Sequence, residues 1–178
     1  MGSRQPRTSW GSDVPRAGLT DRGWAILVDA LADPCVIERF RTKIVMVPGS
    51  DCWWWTGSLS GAGHGRFWIS GGLVMVAHRF AYATAHGAAA LEHANVLGHR
   101  CDNPLCQRID PNHVVVSSPA QNRREWAARR LVGAGPLADP RGSKRRARVL
   151  RDLARQSPSL VAAELLRIRE HGEQVPLW

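Results

Sequence analysis

Two cysteines, two histidines and an asparagine crowd one stretch of this chain: His99, Cys101, Cys106, His113 and Asn122. Thiolate sulfur and imidazole nitrogen are the donors that zinc prefers in a tetrahedral site. Cys101 and Cys106 have four residues between them, so one loop can pinch an ion with both. His113 stands at the start of the next strand and can close on the same ion. A fourth ligand must come from elsewhere in the chain. Cys52, which precedes an aromatic strand, is the first candidate, and Cys35 is its rival. In a cytoplasmic chain the thiols stay reduced, and a paired spacing with a histidine downstream favours a metal over a disulfide.

Once the zinc ligands are set aside, His99 and Asn122 remain. A neutral imidazole is suited to take a proton from water near neutral pH. An amide oxygen is a hard, neutral ligand for Mg²⁺. Together they match one-metal phosphodiester hydrolysis. His99 would act as general base, and Mg²⁺ (or another divalent ion) on Asn122 would offset the charge on the phosphate and the leaving 3′ oxygen.

These side chains need elements to hold them. Residues 95–99 and 112–117 read as strands, the second built on three consecutive valines. Between them lies a loop dense in Cys, Asn, Asp and Pro. Ser118 and Pro119 have the chemistry of an N-cap and first helical turn, and the helix runs to about residue 131. Upstream, helical spacing predicts a helix over 21–32 capped by Asp21, and a second over 35–44 carrying Phe40. Strands are expected over 52–57, 66–70 and 73–77, with 58–65 as a Gly-rich loop and Gly71-Gly72 as the turn. A helix follows over 78–86, ended by Gly87. Beyond a linker over 133–142, residues 143–156 and 159–171 read as two more helices. Trp53, Trp54 and Trp55 are consecutive, cannot all face one side of a strand, and read as core more than as a stacking surface.

Composition narrows the partner. The chain has 178 residues, 44% of them hydrophobic, with a formal net charge of +9. No apolar run approaches the ~20 residues that span a bilayer, and the first fifteen residues are polar and basic rather than a secretion signal. A cytoplasmic protein, bacterial or phage-encoded, is expected, with no membrane partner. Residues 123–151 hold ten Lys and Arg against two acids, a net of +8 that leaves the rest of the chain at +1. Such a block suits a polyanion, because each neutralised phosphate releases counterions. Double-stranded DNA is the expected partner, and the oligomeric state is left between monomer and homodimer. Three regions are expected: a leader and helix over 1–39, a catalytic domain over 40–131, and a basic helical extension over 132–178.

The stretch VLGHRCDNPLCQRIDPNHVVVSSPAQN (residues 96–122) resembles the HNH endonucleases of phages and bacteria, and the active-site region of His-Cys box homing endonucleases. Cys52-Trp53-Trp54-Trp55-Thr56-Gly57 looks like that family's Cys-Trp-x-Trp-Thr-Gly opening, and Ala77-His78-Arg79 like its Ala-His-Arg element. The resemblance covers roughly residues 40–126. No cysteine follows Cys106, which places the likeness with the general HNH branch. It implies an α+β fold, a ββα-metal finger with a structural zinc backed by an antiparallel sheet; the helical patterns on either side add N- and C-terminal helical extensions. It implies a structural zinc on Cys52, Cys101, Cys106 and His113, His99 as general base, and Asn122 as ligand of the catalytic ion. It also implies an arginine near the scissile phosphate, for which Arg66 is the candidate. DNA contacts are expected from Arg123, Arg124, Lys144, Arg145, Arg146 and Arg148. His78 and Arg79 either join them or form a helix start bonded internally. The expected activity is metal-dependent DNA cleavage; the alternatives are a zinc-stabilised DNA-binding module without catalysis and an RNA-directed or nonspecific toxin nuclease.

Overall fold

A computed structural model of the chain describes residues 18–131 and 139–173. The expected leader and most of the expected linker over 133–142 lie outside the described residues. The described chain is α+β, with six α-helices, one 3₁₀ turn and seven short strands in three small antiparallel sheets.

The first helix, α1 (Asp21–Ala32), is capped by Thr20, whose hydroxyl accepts from Gly23 N at 3.1 Å. The expected cap, Asp21, is the first helical residue instead, where its charge meets the positive end of the helix. Asp33 caps α2 (Pro34–Arg41), with Pro34 in the first turn. This helix is shorter than the 35–44 expected. Its end frees Ile44–Val47, a β-branched run, to form strand β1. β1 pairs antiparallel with β2 (Ser50–Trp55).

The single sheet expected over 52–77 is therefore split. β1 and β2 make one sheet; β3 (Ser58–Leu59), β4 (Gly65–Trp68) and β5 (Val74–Val76) make another. Trp55 lies where the chain passes between the two sheets. Its indole ring packs so closely on Gly57 and Gly65 that a Cβ on Gly65 would lie 2.7 Å from Trp55 Cδ1 and 2.9 Å from Ala77 Cβ. The ring is fully buried and packs tilted against Phe40 and edge-on to Phe67, at centroid distances of 5.4 and 6.1 Å. Phe80 completes this aromatic core, 4.9 Å from Phe40 and 4.8 Å from Phe67. Strand alternation puts Trp53 and Trp55 on one face and Trp54 on the other. Both faces are covered at the end of β2, so Trp54 and Trp55 are buried while Trp53 is exposed.

Helix α3 (Ala77–His86) ends at Gly87, whose φ of 83° suits glycine. A 3₁₀ turn (Ala88–Glu92) leads to β6 (Val96–His99), which pairs with β7 (Val114–Ser117), and α4 (Pro119–Leu131) follows. Ser118 Oγ accepts from Gln121 N at 3.0 Å, so the serine cap forms as its sequence suggests. Helices α5 (Gly142–Gln156) and α6 (Pro158–Glu173) close the described chain. α5 buries Arg146, Ala147, Leu150 and Ala154 as one face. It is tied to the turn after β2 by Arg151, which donates to Gly57 O, and Arg155, which donates to Thr56 O. No helix among the described residues is long and apolar enough to cross a membrane.

Candidate metal centre and adjoining cleft

The cysteine loop reaches the first sheet by backbone hydrogen bonds. Trp55 N donates to Leu105 O and Gln107 N to Trp53 O, each at 2.9 Å, so residues 105–107 run antiparallel to β2. Trp54 and Cys106 form a bridge there. Within the loop, Asn103 Oδ1 accepts from Leu105 N and its carbonyl from Cys106 N, turning the chain between the two cysteines. Arg100 N donates to His113 O, extending the β6–β7 hairpin by one rung.

The result is a cluster of Cys52, Cys101, Cys106 and His113 whose ligand atoms all lie within 4.8 Å of one another. His113 Nδ1 is 3.7 Å from Cys52 Sγ and 3.5 Å from Cys106 Sγ. Zinc bonds of ~2.3 Å to sulfur and ~2.0 Å to nitrogen at a tetrahedral angle give a ligand-to-ligand edge of roughly 3.5 Å. The donor set and its spacing therefore fit a tetrahedral ion such as zinc. The fourth ligand resolves in favour of Cys52; Cys35 is exposed on α2 and outside the cluster.

The thiols share protons unequally. Hydrogen bonds from Cys101 and then Cys106 pull Cys52 down to about 2, against the opposing effect of burial. Cys101 gains from its bond with Cys106, but its bond to Cys52 and its burial leave it pushed up to about 12. Cys106 is pushed up as well, by its bonds to Cys101 and Cys52 and by burial. One thiolate forms readily in this cluster, and a divalent ion must displace the other protons as it binds.

On the far side of the β6–β7 hairpin lies a cleft of about 230 Å³. His64, His99, Asp102, Asn122, Trp126 and Arg129 are among the residues that line it. His99 ends β6 and Asn122 is in the first turns of α4. Their juxtaposition depends on Gly98: a Cβ there would lie 2.8 Å from Asn122 Oδ1. The amide therefore rests on bare backbone one residue before the histidine.

His99 belongs to a trio of imidazoles. Its Nε2 is 3.2 Å from His78 Nδ1, and the His64 ring lies 5.7 Å from the His99 ring and 5.6 Å from that of His78. Burial, and then the proximity of His64, pushes His99 down to about 3. Burial first, then His99, His64 and Arg79, holds His78 well below the ordinary value, and burial alone lowers His64. All three rings are neutral at neutral pH. His99 Nδ1 is buried without a hydrogen-bond partner. Sequence spacing does not single out His64; its one local signal is its place in a glycine-rich loop beside Gly61, Gly63 and Gly65.

Arg129 fastens the two sides of the cleft. Its Nε donates to Asp102 at 2.8 Å, a second nitrogen reaches His99 O at 3.4 Å, and it pairs with Glu125 at 3.6 Å. Spacing could not reveal it, because its partner Asp102 is on the metal loop. Asp102 has a φ of 51°, which Asp tolerates better than most residues.

The remaining expected site residues are placed as follows. Arg66 is on the exposed face of β4 and is not among the residues that line the cleft. His78 is buried against His99 rather than displayed to a duplex. Arg79 is half-buried and donates to Ala94 O, so both follow the internally bonded alternative. Arg123, Arg124, Lys144, Arg145 and Arg148 are exposed. Arg146, expected at the DNA, is instead 3% exposed, because it falls on the apolar face of α5 with Ala147 and Leu150.

Protein 7.7 of Escherichia phage T7 is 34% identical to this chain over 79 residues, 44% of this chain and 57% of that protein. The match thus spans little more than half the length of that relative. No protein-family profile matches the chain, and no solved structure matches it.

Proposed function

We propose that the chain is a metal-dependent endonuclease of the HNH type, in which β6, β7 and α4 form a ββα-metal finger around a phosphodiester-binding cleft. The observation that carries this reading is the meeting of His99 and Asn122 across Gly98, in one cleft, beside a Cys₃His cluster.

His99 is the general base. Its Nε2 is engaged by His78, which fixes the ring, so Nδ1 is the nitrogen left to accept a proton from water. Nδ1 is buried before substrate arrives, and the approach of the phosphate must admit that water. The ring is neutral, as a base must be, but burial leaves it a weak base in the free protein. The negative charge of an entering phosphate would raise it towards the working range. Asn122 Oδ1 offers a hard oxygen donor to the cleft, the chemistry Mg²⁺ takes together with substrate phosphate and water. When bound, such an ion supplies positive charge to the scissile phosphate and the departing 3′ oxygen. Arg129 holds the metal loop and the His99 carbonyl against α4, and so keeps Asn122 in register with His99. The Cys₃His cluster supplies rigidity: the loop has few apolar residues, and a zinc ion would fix its shape. Exposed Lys144, Arg145, Arg148, Arg123 and Arg124 provide phosphate contacts along double-stranded DNA. The similarity to a phage protein is in keeping with a phage-encoded chain.

The test is incubation of the purified chain with supercoiled plasmid, with Mg²⁺ or with EDTA, beside an anisotropy measurement of duplex binding. Nicked or linear product with Mg²⁺ alone supports the reading. Tight binding without cleavage under any divalent ion would favour the zinc-stabilised DNA-binding module instead.

A further inference from the structure

Arg146 is a buried cation without an adequate partner. Its side chain is 4% exposed, and its Nε has no hydrogen-bond partner. The nearest carboxylate, Asp139, is 3.9 Å from that nitrogen. Asp139 is already held by Arg141 through contacts of 2.6 to 3.2 Å. A buried charge paired only through a long contact with a shared carboxylate is costly, so additional negative charge close by would offset its burial.

A cavity of about 350 Å³ lies beside Arg146, and Cys52, Cys101 and Asn103 share its lining. Asn103 adds a second unsatisfied group. Its Oδ1 is used by Leu105 N, while its Nδ2 is buried, makes no well-formed hydrogen bond, and lies near Cys52, whose thiolate it favours. Two orphaned N–H donors, one from α5 and one from the cysteine loop, therefore border the same side of the Cys₃His cluster. Zinc with three thiolates and a neutral imidazole carries one net negative charge, and its sulfurs accept hydrogen bonds.

We propose that Arg146 and Asn103 are the outer partners of the metal centre: Arg146 is its counter-ion, and both side chains supply N–H groups to the thiolates once the ion is bound. The proposal rests on the metal reading of the four ligands and is independent of the nuclease reading. It explains why one arginine of a basic helix turns inward while Lys144, Arg145 and Arg148 face solvent. It also makes the metal a fastener for α5, since binding the ion satisfies a charge that α5 buries. By reciprocity, whatever Arg146 contributes to metal affinity, the metal contributes to the docking of α5.

The experiment measures zinc affinity of the full chain by competition with the chromophoric chelator 4-(2-pyridylazo)resorcinol. Wild type, Arg146→Met, Arg146→Lys and Asn103→Asp are compared, and Co²⁺ spectra check that three sulfurs still ligate. Asn103→Asp keeps the oxygen that Leu105 N uses and puts a negatively charged oxygen where the N–H donor was. It therefore opposes an anionic metal centre on both counts and remains informative if the Arg146 variants fold poorly. Loss of an outer partner commonly costs 10- to 100-fold in metal affinity. Arg146→Met and Asn103→Asp are expected to fall by about that much, with Arg146→Lys between Met and wild type. Hydrogen exchange in α5 is expected to speed up when zinc is removed from wild type. A wild type that binds no zinc overturns the metal reading itself. A wild type that binds zinc, with Arg146→Met and Asn103→Asp holding it equally well, overturns only this proposal. A phosphate-induced rise in thermal stability that vanishes in Arg146→Met, with zinc affinity unchanged, also overturns it, by showing the cavity to be an anion site.

Discussion

Gly98 isolates the geometry of the cleft from the stability of the fold. Its replacement by alanine sets a Cβ 2.8 Å from Asn122 Oδ1, the far end of a side chain that can swing away. The fold should lose little, under about 1 kcal/mol. The reaction should lose much, because a shift of about 1 Å in a positioned group can cost ~10²-fold in rate. Thermal melting beside single-turnover cleavage checks both halves; a Gly98→Ala protein that cuts at the wild-type rate would show that Asn122 is not the positioned ligand. The sulfur ligands behave oppositely. Cys101→Ser or Cys106→Ser should release the metal and unfold the loop region, since each removes one of four donors from a cluster with ligand atoms within 4.8 Å. Cys35→Ser should do neither, being exposed and remote from the cluster. Elemental analysis and circular dichroism on the three variants separate these outcomes.

Helix α5 carries two kinds of cation, and they predict different phenotypes. Lys144, Arg145 and Arg148 face solvent; Arg146 is buried, and Arg151 and Arg155 tie the helix to the turn after β2. Replacing the first three by alanine should weaken duplex binding for all sequences. It should reduce the slope of log affinity against log salt by up to about 0.9 per residue. An unchanged salt slope would return the duplex to other exposed cations, such as Arg66. The α5–α6 junction also predicts an acid response. Glu164 is held down to about 2, from an ordinary 4.5, first by Arg167 and then by Arg141, which it meets at 2.8 and 2.7 Å. A depressed carboxylate contributes stability above its unfolded value and loses it as the pH falls through the folded one. The stability difference between wild type and Glu164→Gln should thus be constant above pH ~5 and shrink from about pH 4.5 towards 2. Taking the difference cancels acid losses common to both, metal release among them. What was legible in the sequence follows the same division. Local chemistry announced α4 through Ser118-Pro119, the turns through glycine, and the cysteine pair through its spacing. β1 was hidden because Ile44–Val47 continues an apolar pattern that a helix also allows, and only Trp53–Trp55 opposite makes it a strand. Arg146 was hidden because a charge run does not say which residue of α5 faces inward. The imidazole trio was hidden because His64, His78 and His99 come from a loop, a helix and a strand.

At the scale of the molecule, a Cys₃His cluster that could hold a metal and a cleft share one hairpin. The Cys₃His cluster braces the β6–β7 loop against β2, and the same hairpin presents His99 to Asn122 of α4. Stability and chemistry should therefore separate by residue while depending on one scaffold: a base substitution leaves the fold and the duplex affinity intact, and a ligand substitution removes both. The most direct measurement is the single-turnover cleavage rate of His99→Ala with Mg²⁺ on supercoiled plasmid, relative to wild type, in preparations with matched zinc content and matched duplex affinity. Loss of a general base predicts a fall of about 10²- to 10⁴-fold with binding unchanged. Cleavage at the wild-type rate by His99→Ala would contradict the account.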